Sequence, residues 1–136
     1  MTGRVSVQTD GAPSAIGPYS QAIRGGPLIF CAGQVGTDPR TGTLADGVAA
    51  QADRALTNLA AVLAAAGSGL DRVVKTIIFL VDMDDFTTVN EVYARHLAAP
   101  YPARSTIAVR ALPKGALVEI EAVALAGDAS GESEPS

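Results

Sequence analysis

The chain has 136 residues, of which 48% are hydrophobic and 18% charged, and its formal net charge is −4. This length suits one domain with its own core, and no stretch approaches the roughly 20 apolar residues that a membrane-spanning helix needs. The N-terminus lacks the apolar segment of a secretory signal. We therefore expect a cytoplasmic protein with no membrane partner.

The distribution of charge and of metal-binding residues disfavours several further classes of function. The last ten residues, 127–136, hold three of the acidic residues and no large apolar group, so we expect a disordered tail after a domain over 1–126. The domain is nearly neutral and lacks a basic stripe, which disfavours nucleic acid as a partner. With only Cys31 and His96, one chain cannot build a disulfide or a Cys/His zinc site, although an all-oxygen metal site stays open.

The first half of the chain predicts three strands followed by a helix. Strand-like segments lie near 4–8, 22–24 and 28–32, the last of them stopping at Gly33. Apolar residues then recur with a 3.6-residue period from residue 47 to residue 66, and polar residues such as Gln51 and Asn58 lie between them. This pattern predicts a helix that a glycine caps at its C-terminus.

The second half predicts a central strand, a second helix and two final strands. Residues 73–81 are rich in β-branched residues and apolar on both sides, as in a strand inside a sheet. Asp84 or Asp85 then caps a helix that Pro100 and Pro102 end. The order of elements predicts an α+β fold with one mixed sheet and two helices on one of its faces.

Residues 102–125 predict a β-hairpin with charged side chains on one face. If the apolar sides of both limbs face the same core, Arg104 shares the opposite surface with Glu119 and Glu121. A guanidinium and carboxylates on a half-dry surface suit carboxylate recognition and the handling of water. The alternative is an exposed cross-strand ion pair with no role beyond solubility.

The same surface carries apolar residues that no remaining helix covers. They are Leu117, Val123 and Leu125. Since a surface of this kind is too apolar to face water, we expect it to pack on copies of the chain in a closed homo-oligomer, with sites between subunits.

Seven groups of short motifs occur in order along the domain. They are residues 15–22 (AIGPYSQA), 32–34 (AGQ), 41–42 (TG), 74–76 (VKT), 85–86 with 89–93 (DF, VNEVY), 102–105 (PARS), and 112–115 with 119–122 (LPKG, EIEA). In this order they resemble the RidA (YjgF/YER/UK) family of enamine/imine deaminases. The resemblance runs from about residue 12 to residue 126.

The resemblance implies a chorismate-mutase-like α+β fold, a homotrimer around a central barrel, and active sites in the clefts between subunits. It also implies that Arg104 binds the substrate carboxylate and that Glu119 handles the attacking water. Tyr19 and Asn90 are implied to line the pocket, and Gly33 belongs to the loop that closes it.

Two positions depart from the common pattern of the family. Ala32 stands where many members have serine, which removes one hydroxyl contact, and Thr106 stands where some members have cysteine. Thr106 remains a candidate substrate-binding residue, through its backbone. Neither the pattern nor the resemblance gives Glu121 a role.

The resemblance implies hydrolysis of 2-aminoacrylate and 2-aminocrotonate, through the imines 2-iminopropanoate and 2-iminobutanoate, to 2-oxo acids and ammonia. No cofactor is needed for this reaction. The alternatives are a non-catalytic ligand-binding or chaperone-like trimer and, less favoured by the neutral domain, a ribonuclease or translation inhibitor. Cys31 and His96 are expected to be structural.

Overall fold

The computed structural model describes residues 3–127, and most of the predicted tail lies outside that range. The elements follow the predicted order. They are strands β1 (Arg4–Val7), β2 (Ala22–Gly25) and β3 (Leu28–Val35), helix α1 (Val48–Ala65), strand β4 (Val73–Leu80), helix α2 (Phe86–His96), and strands β5 (Ala103–Ala108) and β6 (Val118–Leu125). No helix within residues 3–127 is both long enough and apolar enough to cross a membrane.

All six strands form one sheet in the order β1-β2-β3-β6-β4-β5. Its neighbouring strands are antiparallel except β4 and β5, which run parallel, so the predicted mixed sheet is confirmed. Helix α1 packs on β3 and β6, and α2 packs against α1 on the same face. The prediction of two helices on one face is therefore also confirmed.

The core lies between the helices and this covered face of the sheet. Alternate residues of β6, from Val118 to Ala124, are at most 3% exposed, and α1 supplies the facing side chains. The fully buried side chains of α1 include Leu56, Leu59 and Leu63. Burial of each such side chain contributes roughly 1.5–3 kcal/mol, which fixes the sheet and the helices as one unit.

The predicted β5–β6 hairpin is wrong, because β4 lies between the two strands. β4 pairs with β5 along one edge and with β6 along the other. The connecting loop crosses the end of β4: Val109 N donates to Leu80 O at 2.7 Å, and Val81 N donates to Leu117 O at 3.2 Å. An apolar strand buried on its covered side gains more from two paired edges than from one, so it occupies the interior of the sheet.

The predicted common surface for Arg104 and Glu119 is wrong as well. In the sheet register Arg104 pairs with Thr76, which pairs with Ala122, and this row faces the helices. Glu119 pairs with Phe79, three positions along β4 from Thr76, and since this is an odd number its side chain lies on the opposite face. Because neither side of β5 is strongly apolar, the alternation of polar and apolar residues along it does not show which side faces the core.

The face opposite the helices carries exposed apolar side chains. Phe30 is 47% exposed, Ile107 45% and Leu125 43%. Their register partners place them on the face of Glu119. Within residues 3–127 no helix covers this face.

Two element boundaries and one helix cap differ from the sequence-based expectation. β3 does not stop at Gly33 but continues to Val35 after an irregularity in its pairing with β6. Asp85 is the N-cap residue of α2, as expected, but its side chain makes no capping hydrogen bond. Asp82 instead accepts from Asp84 N and caps the one-turn helix before α2. α2 ends at His96, before the first proline.

Candidate active site

Arg104 lies at an open cleft between the end of β5 and helix α2. The cleft has a volume of about 440 Å³, and its lining residues are Asn90, Tyr93, Ala94, Tyr101, Pro102 and Arg104. The structure therefore brings together two of the predicted site residues, Arg104 and Asn90. Within residues 3–127 no carboxylate pairs with the Arg104 guanidinium, which leaves its donors available to an external anion.

Glu119 lies at a second, larger cleft on the other side of the sheet. This cleft has a volume of about 680 Å³, and three predicted site residues line it together: Tyr19, Gly33 and Glu119. Apolar side chains such as Ile16 and Pro113 form much of its wall, and Ala32 lies beside Gly33. With alanine at position 32, this position offers no side-chain hydroxyl to the cleft.

The environment of Glu119 makes it a stronger base than an ordinary glutamate. Partial burial raises the pKa of its carboxyl, and the nearby charge of Glu121 raises it further. Both effects disfavour the ionised form, so the carboxylate takes up a proton more readily. This effect gives Glu121, which had no predicted role, an electrostatic one.

Side chains of helix α1 anchor the segment that follows β3, and this segment borders the Glu119 cleft. The side-chain amide of Asn58 donates to Thr37 O at 3.0 Å and to Val35 O at 3.2 Å. The Gln51 amide donates to Ala45 O at 3.0 Å and accepts from Leu117 N at 2.8 Å. The sequence pattern places Gln51 and Asn58 between the core-facing positions of the helix, but the structure shows that both side chains are buried. They hold the backbone of the cleft in place.

A third buried amide anchors the segment that carries Tyr19. Gln21, at 3% exposure, accepts from Thr9 N at 2.7 Å and donates to Pro13 O at 2.8 Å. Tyr19 itself is 55% exposed and projects at the rim of the Glu119 cleft. The sequence motif contains this glutamine, but nothing in its pattern indicated the anchoring role.

Thr106 borders neither cleft. Its register partner is Ile78, so its side chain faces the helices. The hydroxyl oxygen is buried and makes no hydrogen bond to the described residues. A role for Thr106 in substrate binding stays a prediction.

Cys31 and His96 lie away from both clefts. Burial raises the pKa of the Cys31 thiol to about 12, which leaves it protonated and unreactive. His96 Nε2 lies 2.8 Å from Asp53 Oδ1 and so joins the end of α2 to α1. The structural roles expected for both residues agree with these positions.

No three His, Cys, Asp or Glu side chains of residues 3–127 lie close enough together to hold a metal ion. The groups that the two clefts offer include a guanidinium, a basic carboxylate, and amide and phenol side chains. Such groups can bind a small carboxylate and move a proton.

Comparisons with a family model, with curated proteins and with solved structures all identify the same family. A model of the family described as endoribonuclease L-PSP matches residues 9–126. Human 2-iminobutanoate/2-iminopropanoate deaminase is 48% identical over 122 residues, which cover 89% of this chain and 89% of the human protein. Protein DfrA of Myxococcus xanthus is 49% identical over 125 residues, which cover 90% of this chain and 95% of DfrA.

Solved structures agree with this sequence similarity. The crystal structure of RidA from a Psychrobacter species has a TM-score of 0.87 at 45% identity and covers 89% of this chain and 98% of that one. The crystal structure of Escherichia coli TdcF with bound serine has a TM-score of 0.85 at 40% identity, with the same coverage of 89% and 98%. In both comparisons the similarity covers about nine-tenths of this chain.

Proposed function

The chain belongs to the RidA (YjgF/YER/UK) family, also described as endoribonuclease L-PSP, and we propose that it is a 2-iminobutanoate/2-iminopropanoate deaminase. Several relatives that are 47–49% identical over most of the chain carry that name. In the reaction, water adds to the imine carbon, a C–O bond forms, the C–N bond breaks, and a 2-oxo acid and ammonia leave. The enamines 2-aminoacrylate and 2-aminocrotonate enter as their imine tautomers.

Arg104 carries the proposal, because its guanidinium faces an open cleft and pairs with no carboxylate of residues 3–127. The planar carboxylate of an imino acid matches the two parallel donors of a guanidinium. Asn90, in the same cleft, offers an amide that can donate to the substrate. Arg104 would therefore bind the carboxylate, which is the group that all of these imino acids share.

Glu119 is the proposed base. It would take a proton from the attacking water and return it to the nitrogen, which gives a carbinolamine. It would then move the remaining hydroxyl proton to the nitrogen as the C–N bond breaks, so that ammonia leaves and the carboxylate is regenerated. The raised pKa of the carboxyl suits both steps, because it brings the affinity of Glu119 for a proton closer to that of the reacting groups. General acid–base catalysis of this kind typically contributes about 10²- to 10⁴-fold.

One chain holds Arg104 and Glu119 on opposite faces of its sheet, so the complete site needs a second copy. We infer a homotrimer in which the apolar face of each sheet packs into a central chorismate-mutase-like barrel. The Arg104 cleft of one protomer would then lie beside the Glu119 cleft of its neighbour. Tyr19, Gly33 and Glu119 would come from one subunit, and Arg104 and Asn90 from the other.

The test is an assay in which threonine dehydratase generates the imine and the release of 2-oxobutanoate is followed. We expect the protein to accelerate this release without an added cofactor, in the cytoplasmic range of pH. If the release proceeds at the uncatalysed rate while the protein still binds 2-oxobutanoate, the protein binds the ligand without catalysis and the deaminase proposal is wrong.

A further inference from the structure

The guanidinium of Arg104 lies against two aromatic rings of α2. Its central carbon is 5.0 Å from the ring centre of Tyr93 and 5.6 Å from that of Phe86. Tyr93 is 5% exposed and Phe86 36%. At these distances each ring attracts the cation through its negative π-face.

The Tyr93 ring is itself held in place from the sheet. Its hydroxyl lies 2.7 Å from the hydroxyl of Thr76, in a buried hydrogen bond. Thr76 is also the register partner of Arg104 on the neighbouring strand. One residue of β4 therefore fixes both the strand position of Arg104 and the ring against which its side chain rests.

A guanidinium that contacts rings has fewer directions from which a carboxylate can reach it. Its N–H donors lie in the plane of the group, whereas the rings interact with its cationic face. Contact with two rings also reduces the number of side-chain conformations that must be given up when a carboxylate binds. The edge of the guanidinium that carries its N–H donors, the donor edge, is thereby directed toward the open cleft.

On the basis of the proposed function, we propose that Tyr93, held by Thr76, and Phe86 are positioning residues for carboxylate recognition. They would present the donor edge of Arg104 to the substrate without touching the substrate's reacting atoms. Removal of the ring should then weaken carboxylate binding and raise KM, while kcat, which depends on Glu119, changes less.

The experiment compares variants that separate the ring from its hydroxyl. Tyr93→Leu removes both, Tyr93→Phe keeps the ring, and Thr76→Val removes only the partner of the hydroxyl. Calorimetry measures the affinity of each variant for 2-oxobutanoate, which binds without turnover. We expect affinity about tenfold weaker for Tyr93→Leu and about threefold weaker for the other two.

One control variant separates positioning from stability, and a second test variant covers a failure to fold. Val62→Ala, a buried substitution in α1 away from the Arg104 cleft, should lower the melting temperature but leave the affinity unchanged. Phe86→Leu removes the more exposed ring, so it keeps the test available if Tyr93→Leu does not fold.

The inference is overturned if Tyr93→Leu and Phe86→Leu bind 2-oxobutanoate as the parent protein does, or if Val62→Ala loses as much affinity as they do. It is also overturned if the parent itself does not bind this carboxylate. If the parent binds 2-oxobutanoate but does not hydrolyse the imine, the proposed function fails, and the binding series still decides the role of the rings.

Discussion

The side chain of Glu119 occupies the space that a side chain at Gly33 would need. A Cβ placed on Gly33 would lie 2.8 Å from Glu119 Cδ and 3.0 Å from its Cγ. Real Cβ atoms essentially never approach other atoms more closely than 3.0 Å. Gly33 does not have a positive φ, so glycine is needed here for the close approach of the carboxylate and not for backbone freedom.

Gly33→Ala should displace the Glu119 carboxylate while leaving the fold intact, because the atoms in the way belong to the flexible end of a side chain. We expect turnover of the imine to fall about tenfold to a hundredfold. Gly25→Ala is the matched control, since a Cβ there has its nearest neighbour at 3.9 Å. Turnover by Gly33→Ala at the parent rate would show that the position of this carboxylate does not matter.

Glu121→Gln should shift the acid limb of the pH–rate profile to lower pH. The charge of Glu121 raises the pKa of Glu119, so its removal lowers that pKa and leaves the base ionised at a lower pH. Glu91→Gln removes one negative charge from the exposed surface of α2 instead, and it should leave the acid limb at the same pH. If the acid limb of Glu121→Gln lies at the same pH as that of the parent, or at a higher pH, the assignment of Glu119 as the base is contradicted.

Arg104→Lys keeps the charge at the cleft but loses the two parallel donors. We expect its affinity for 2-oxobutanoate to fall about tenfold, and that of Arg104→Ala about a hundredfold, since each hydrogen bond between charged groups is worth roughly 1.5–3 kcal/mol. Calorimetry measures both values, with Arg95→Lys on the exposed side of α2 as the control. Parent-like affinity in Arg104→Ala would place the carboxylate site elsewhere.

Light scattering should give the parent protein about three times the chain mass of 13.8 kDa. Ile107→Lys places a charge on the apolar face and should reduce that mass, because a lysine there must lose its hydration on assembly. Val5→Lys, at an exposed position of the outermost strand, serves as the control. A parent protein that stays monomeric at micromolar concentration would exclude a site built from two subunits.

Most of the elements could be predicted from the sequence, because composition and periodicity are local properties. Strand order is not local. Residues 102–125 read as a hairpin, but β4, which comes earlier in the chain, lies between its two limbs. Since the face assignment of Arg104 depended on that pairing, the error placed Arg104 and Glu119 on one surface.

Most of the site residues came from motif resemblance, and the structure divides all of them except Thr106 between two clefts. The buried amides Gln51 and Asn58 were missed as anchors, because they look like helix surface. Their spacing held a usable signal: positions 51, 55, 58 and 62 follow one helical face, and all four are buried. The aromatic contacts of Arg104 depend on how α2 packs over β5, which no local pattern gives.

The most direct test of a deaminase site shared between subunits is complementation between two inactive variants. Arg104→Ala lacks the guanidinium proposed to bind the carboxylate, and Glu119→Gln lacks the proposed base. Co-expression of the two chains should form mixed trimers in which about a quarter of the interfaces combine an intact Arg104 with an intact Glu119. We predict that imine hydrolysis returns to about a quarter of the parent rate in the mixture; a mixture as inactive as either variant alone would contradict the account.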